Sequence, residues 1–190
     1  LFFALSSIIF LTGIVFVLFS EGLPIFQEVG VFDFIFGEDW YPTYDPPAYG
    51  ILPLLSASLW VTFGSMVLAV PIGLASSVYI SYVLPKNLKK FVKPAIELLA
   101  GIPSVIYGLF GMKILGPFLK DVFGLPTGLT ALNASIMLGI MALPTIVSLS
   151  EDAITSIPKR YRDASLALGG TRWETISKVI LPTASSGIVT

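Results

Sequence analysis

The 190-residue sequence has no cysteine and no histidine. Those absences remove disulfides, thiol chemistry, the commonest zinc ligands and the usual general base near neutral pH. No G-x-x-x-x-G-K-[ST] loop is present to cradle a nucleotide's phosphates. Charge is scarce too: 12% of residues are charged, against roughly a quarter in soluble domains. From Glu21 to Gly50 there is no basic residue at all, only Glu21, Glu28, Asp33, Glu38, Asp39 and Asp45.

What is present in quantity is apolar: 55% of the chain, with a mean hydropathy of +0.88. Such a chain belongs in a bilayer. Leu1 to Ser20 is uncharged, long enough to cross about 30 Å of hydrocarbon, and reads as the first span rather than as a cleaved signal peptide. The acidic, aromatic segment 21–50 suits an external interfacial layer. No charge appears from Ile51 to Leu84, the second span, where Pro71 is expected to introduce a kink.

The short stretch "PKNLKKFVKP" carries Lys86, Lys89, Lys90 and Lys93 without an acid, and reads as a cytoplasmic loop. A third span is expected from about Ala95 to Met112, an external linker "LGPFLKDVFGLPTG" next, and a fourth span from about Leu129 to Leu149. Lys159, Arg160, Arg162, Arg172 and Lys178 return to the lysine side. This places the N-terminus in the cytoplasm. Pro182 to Thr190 reads as the start of a fifth span, so the sequence is expected to be part of a longer protein. Ala131, Ser135 and Gly139 form a small-xxx-small stripe whose expected use is packing within the chain.

Between the fourth and fifth spans the residues specify helix, turn, helix. Pro158 suits a first turn, and Tyr161, Ala164, Ser165 and Leu168 recur along one face. Gly169 and Gly170 can take the left-handed backbone that stops a helix, while Thr171 and Glu174 fit a capping box. A narrow stripe with small residues can enter a partner's groove. The same basic residues also allow the hairpin to lie on lipid headgroups.

"DASLALGG" followed by "VILP" resembles the EAA loop of ABC importer permeases, E-A-A-x-x-x-G, nine residues, then I-x-L-P. Asp163 stands at the Glu position, Ala164 matches, Ser165 replaces the second Ala, Gly169 falls in place, and Val179, Leu181 and Pro182 complete the pattern. The resemblance implies a coupling helix that docks on a cytoplasmic ATPase, with Tyr161, Asp163, Ala164, Ser165, Leu168, Gly169 and Gly170 as its residues. Asp163 shortens the usual carboxylate by one methylene.

"IELLAGIPSVIYGLFG", "ALPTIVSLSEDAI" and "LALGGTRWETISKVILPTA" are similar to the PstC-like permease of phosphate-specific ABC importers. This resemblance implies an all-α integral membrane protein with the type I importer permease (MetI-like) fold, truncated at its C-terminal end. Its expected organisation is a first span at 1–20, an acidic external segment at 21–50, and a core permease domain at 51–190 with a cytoplasmic coupling loop at 151–182. The implied partners are a second related permease, two ATP-binding subunits, an external phosphate-binding protein, phosphate and the lipid bilayer, with no nucleic acid. No cofactor is expected on this chain, since ATP would bind the partners.

Within the third span, "GIPS" is expected to interrupt the helix, and a broken helix aims free N–H groups at an anion. Ser104 and Tyr107 are the candidate pathway hydroxyls. Glu97 lies four residues after Lys93 and is read as its interfacial ion-pair partner. Asn133 is expected to bond a neighbouring helix. Asp33, Asp39, Asp45, Asp121, Asp152 and Asp163 are all placed in loops, which leaves no paired intramembrane aspartates. An enzyme is not the expected reading. The alternatives are the permease of a molybdate or sulfate importer, or a regulatory or structural membrane subunit.

Overall fold

The computed structural model of the chain describes residues 2–189. Leu1 and Thr190, the outermost residues of the first and last expected spans, lie outside them. The chain forms two compact units, one up to Ser58 and one from Leu59 onward.

In the first unit, α1 (Phe2–Gly22) meets no charge before Glu21 and contains no proline, so nothing interrupts it. Phe10 and Phe16 are 73% and 71% exposed, as befits a helix whose solvent is hydrocarbon. The short helices α2 (Ile25–Glu28) and α3 (Val31–Phe36) follow. Strands β1 (Trp40–Tyr41) and β2 (Ala48–Tyr49) then pair antiparallel, Trp40 opposite Tyr49 and Tyr41 opposite Ala48. This two-rung ladder in an otherwise helical chain was not expected. It forms where aromatic residues meet across strands, the Trp40 and Tyr49 rings edge to face at 6.4 Å.

The boundary between the units falls within α4 (Leu52–Tyr82), which stays one helix through Pro71. In the second unit α4 faces α8 (Ala131–Thr155) through small residues. A Cβ on Gly64 would stand 2.6 Å from Ser135 Oγ, and one on Gly73 would stand 2.5 Å from Ile146 Cγ2. One on Gly139 would reach Ser65 O at 3.4 Å. The Ser135 and Gly139 positions of the stripe therefore serve helix packing inside the chain, where absence of side chain lets backbones approach.

The third span is neither straight nor preceded by a loop. Residues 86–94 belong to α5 (Lys86–Ala100), because Lys86, Lys89, Lys90, Lys93 and Glu97 recur every three to four residues as the polar face of an amphipathic helix. The interruption expected at "GIPS" is present at Gly101–Pro103, and α6 (Ser104–Phe110) leaves it. Pro103 has no N–H to continue the ladder and disfavours a helical Ile102. A π-helical segment (Gly111–Leu115) and α7 (Gly116–Phe123) extend α6, and the whole arm lies at 83° to α5. Among the described residues three helices are long and apolar enough to cross a membrane, or four if the bent pair counts as one span.

The chain closes with α9 (Lys159–Ala167), α10 (Arg172–Glu174), a second π-helical segment (Thr175–Ile180) and α11 (Leu181–Val189). Ile154, Ile180 and Ala184 form a buried cluster, covered by Val78, Tyr82, Ala153, Ile157, Leu181 and Ile188. This core ties α4, α8 and the last helical run together. Four of the aspartates placed in loops lie in helices instead: Asp33 in α3, Asp121 in α7, Asp152 in α8 and Asp163 in α9. Connections between spans here are largely helical, so position between spans did not imply loop.

Candidate functional site

The helix, turn, helix read from residues 158 to 180 is present. Pro158, with φ −59°, sits at the N-cap of α9. At the other end Gly169 takes φ +84°, and its N–H donates to Leu166 O at 3.0 Å while Gly170 N–H donates to Ser165 O at 3.0 Å. These two bonds are the 5→2 and 6→1 pair of a Schellman turn, which satisfies the last carbonyls of α9. The left-handed residue must be Gly because a Cβ there would crowd the following carbonyl.

Thr171 and Glu174 then close the expected capping box. Glu174 N–H donates to Thr171 Oγ1 at 3.2 Å, and Thr171 N–H donates to Glu174 Oε2 at 3.1 Å. The backbone N–H of Thr171, the Lys178 ammonium at 3.1 Å and the Thr171 hydroxyl hold the Glu174 carboxyl down to about 2. It is therefore a fixed negative charge at every physiological pH.

The two arms are tied by one side-chain bridge. Thr175, buried, donates through Oγ1 to Thr171 O at 2.9 Å, which leaves its oxygen to accept from the Ser165 hydroxyl at 2.9 Å. Ser165 at the second alanine position thus supplies a hydroxyl that alanine would lack.

Outside this bridge the hairpin shows a surface. Tyr161, Ala164, Ser165 and Leu168 line one open groove with Gly170, Glu174, Lys178 and Val179, so the predicted stripe is gathered along one face. Leu168 is 90% exposed, an unusual state for a leucine at the end of a helix tied down on both sides. Asp163 is exposed as well, but does not line that groove. Arg160 stacks over the Tyr161 ring at 5.6 Å and Arg162 over the Tyr82 ring at 5.5 Å, the latter fastening α9 to the end of α4.

The other predicted residues lie apart from the hairpin. Ser104 begins α6 and is exposed. The Tyr107 hydroxyl donates to Leu99 O at 3.2 Å, a carbonyl beside the break at Gly101–Pro103 that also accepts from Ile102 N–H at 3.2 Å. Asn133 bonds neighbouring backbone as expected: its Nδ2 donates to Gly111 O and Gly128 O, both at 2.9 Å.

The expected pair between Lys93 and Glu97 does not form. Lys93 turns instead to α8, bonding Glu151 Oε2 at 2.7 Å and Asp152 Oδ1 at 2.5 Å. Lys89 reaches Glu151 Oε1 at 2.5 Å, and Thr155 Oγ1 donates to the same oxygen at 2.7 Å. Glu151 is buried and needs a cation to hold its charge there, whereas Glu97 is exposed, so Lys93 turns to α8. Sequence reasoning missed this cluster; the only local signal was the lysine spacing that marks α5 as a helix.

A family model described as the binding-protein-dependent transport system inner membrane component matches residues 69–190. The probable ABC transporter permease protein YqgH of Bacillus subtilis (strain 168) is 42% identical over 172 residues, covering 90% of this chain and 56% of that protein. The phosphate transport system permease protein PstC of Pasteurella multocida (strain Pm70) is 30% identical over 207 residues, covering 99% of this chain and 64% of that protein. The chain thus spans between 56% and 64% of the length of these two curated relatives. Among solved structures, inward-facing conformations of the MetNI methionine ABC transporter match with a TM-score of 0.55 at 26% identity, covering 74% of this chain and 63% of that one.

Proposed function

The chain belongs to the binding-protein-dependent transport system inner membrane components, and from that footing we propose that it is a permease subunit of an ATP-driven importer of inorganic phosphate. ATP binding closes partner ATPase subunits in the cytoplasm. The hairpin around Asp163 to Leu168 moves with them, and the spans open outward to accept phosphate from an external binding protein. Hydrolysis resets them inward.

The observation that carries the reading is the exposed face of α9: Tyr161, Ala164, Ser165 and Leu168 along one groove, at the end of a turn fixed by Gly169 and Gly170. Small side chains let a partner come close, and a Schellman turn with a capping box keeps the hairpin from yielding under load. The substrate reading rests on relatives bearing the name phosphate transport system permease protein.

In this reading residues 1–20 cross the membrane from a cytoplasmic N-terminus, 21–50 are external, and 51–190 form the core, with 151–182 as the cytoplasmic coupling loop. The arrangement puts the lysines of α5 and the basic residues of the hairpin on one side, as the positive-inside tendency requires. A second permease, the ATPases and the binding protein complete the complex. Ser104, at the head of the broken helix, lines the route with Tyr107. Normal transport by both Ser104→Ala and Ser104→Val would remove it from the route.

The test is reconstitution of the full-length protein with its cognate partners and ATP-dependent uptake of labelled phosphate, with molybdate and sulfate in parallel. Selective phosphate uptake is expected. Uptake of another oxyanion alone would keep the permease and overturn the substrate, and no uptake by an assembled, ATP-hydrolysing complex would point to a regulatory subunit.

A further inference from the structure

On the face of α9 turned away from the coupling stripe, Arg162 and Leu166 border a cavity of about 210 Å³. Its other walls are Tyr82 and Val83 from the end of α4, and Arg172, Thr175 and Ile176 from the hairpin's second arm. No carboxylate lines it. Among the described residues neither arginine forms an ion pair, while all four ion pairs on the second unit use lysines.

Two guanidinium groups bordering one cavity with no carboxylate on its walls make it a place that favours an anion. Arg162 is held there, stacked on the Tyr82 ring at 5.5 Å. The Thr175 hydroxyl is already committed to Thr171 and Ser165, so the polar side chains on offer are the two arginines and the Tyr82 phenol. A planar fork of N–H donors matches a tetrahedral oxyanion in bidentate fashion. Val83, Leu166 and Ile176 supply an apolar wall beside it, with Val83 62% exposed at the rim.

We infer that this cavity binds a phosphate-type oxyanion, as the free ion or as the headgroup of an anionic phospholipid, bridging α4 to both arms of the hairpin. Occupied, it would neutralise the two arginines and fix the hairpin's base to the membrane-spanning part. The site stands apart from the coupling reading, since it uses Arg162 and Leu166 rather than the Tyr161, Ala164, Ser165 and Leu168 face.

The test uses the full-length permease assembled with its partners in nanodiscs, carrying Val83→Cys, which these 190 residues permit because they contain no native cysteine. The rate of labelling by a neutral maleimide is measured in phosphatidylcholine, in phosphatidylcholine with added inorganic phosphate, and in phosphatidylcholine mixed with phosphatidylglycerol. At a ligand level near four times Kd, labelling should slow about fivefold. A cysteine at Leu88 on α5, exposed and outside the cavity, should be unaffected by the anion.

Protection by phosphatidylglycerol alone identifies a lipid headgroup, and protection by inorganic phosphate identifies the free ion. Either should vanish in the Arg162→Gln, Arg172→Gln double variant and persist in part with both arginines changed to lysine. Equal labelling in all three arms would overturn the inference, as would protection that survives the double glutamine variant. If that variant does not assemble, the comparison of arms in the Val83→Cys protein decides by itself.

Discussion

Lys93 on α5 donates to Glu151 on α8 at 2.7 Å, across 58 residues of sequence. The glutamate side chain is 3% exposed and the lysine side chain 34%, so the two ends of the bond have unequal alternatives. A freed lysine can reach water or Asp152. A freed Glu151, buried, keeps only the Thr155 hydroxyl. Lys89→Met with Lys93→Met should therefore cost about 3 kcal/mol, the penalty of an uncompensated buried charge, whereas Glu151→Gln should cost clearly less. Thermal unfolding of the full-length protein in nanodiscs would show the order, and equal losses would contradict it.

Gly169 is held at φ +84° by the turn that ends α9. Gly169→Val places a β-branched side chain in that conformation at a cost of about 1–2 kcal/mol, enough to favour a different turn. No heavy atom lies within 4 Å of the added Cβ, so the effect is backbone strain and not crowding. The complex should assemble yet lose coupling between ATP hydrolysis and uptake. Unchanged coupling would show that the turn does not position the hairpin.

Ala164 lies on the groove face of α9 and is exposed. In the assembled transporter, Ala164→Cys should form a disulfide with a cysteine placed in the docking groove of the ATPase, at a rate that changes with nucleotide. Failure to cross-link in every nucleotide state would remove the coupling reading.

Asn133 joins the backbone of Gly111 and Gly128 through one amide. Asn133→Leu leaves both carbonyls without that donor, and should destabilise the protein by about 1 kcal/mol, since polar contacts between membrane helices contribute modestly. The neighbourhood has no slack: a Cβ on Gly111 would stand 2.8 Å from Met137 Cγ, and one on Gly128 would collide with the backbone of Gly116. A change in Tm with ATP hydrolysis preserved would fit a structural role, and unchanged stability would contradict it.

The hairpin was legible because its determinants are local. Pro158, the glycine pair and the Thr171 and Glu174 box each act within a few residues, so their spacing carried the structure. The interruption at Gly101–Pro103 was legible for the same reason, but its 83° angle was not, since no neighbouring residue encodes direction. The partner of Lys93 was misread because the nearest acid in sequence, Glu97, is exposed while the acid that needs a cation, Glu151, is distant in sequence and buried. Residues 86–94 look like a loop by their charge, and only their three-to-four-residue period marks them as part of α5. The stripe of α9 was visible as a pattern, yet the Ser165 to Thr175 bond behind it depended on how the turn brings the arms together.

From Arg172 to Val189 the backbone passes through three consecutive helical segments without a non-helical residue between them. The hairpin's second arm and the helix buried against α8 are thus one rod, about 25 Å long at the rise of an α-helix. With its middle buried at Ile180 and Ala184, that rod joins the hairpin's second arm to the packing around Ile154, so the two share one support. The π-helical stretch Thr175–Ile180 lies within that support, a wide turn of the kind often found at functional sites.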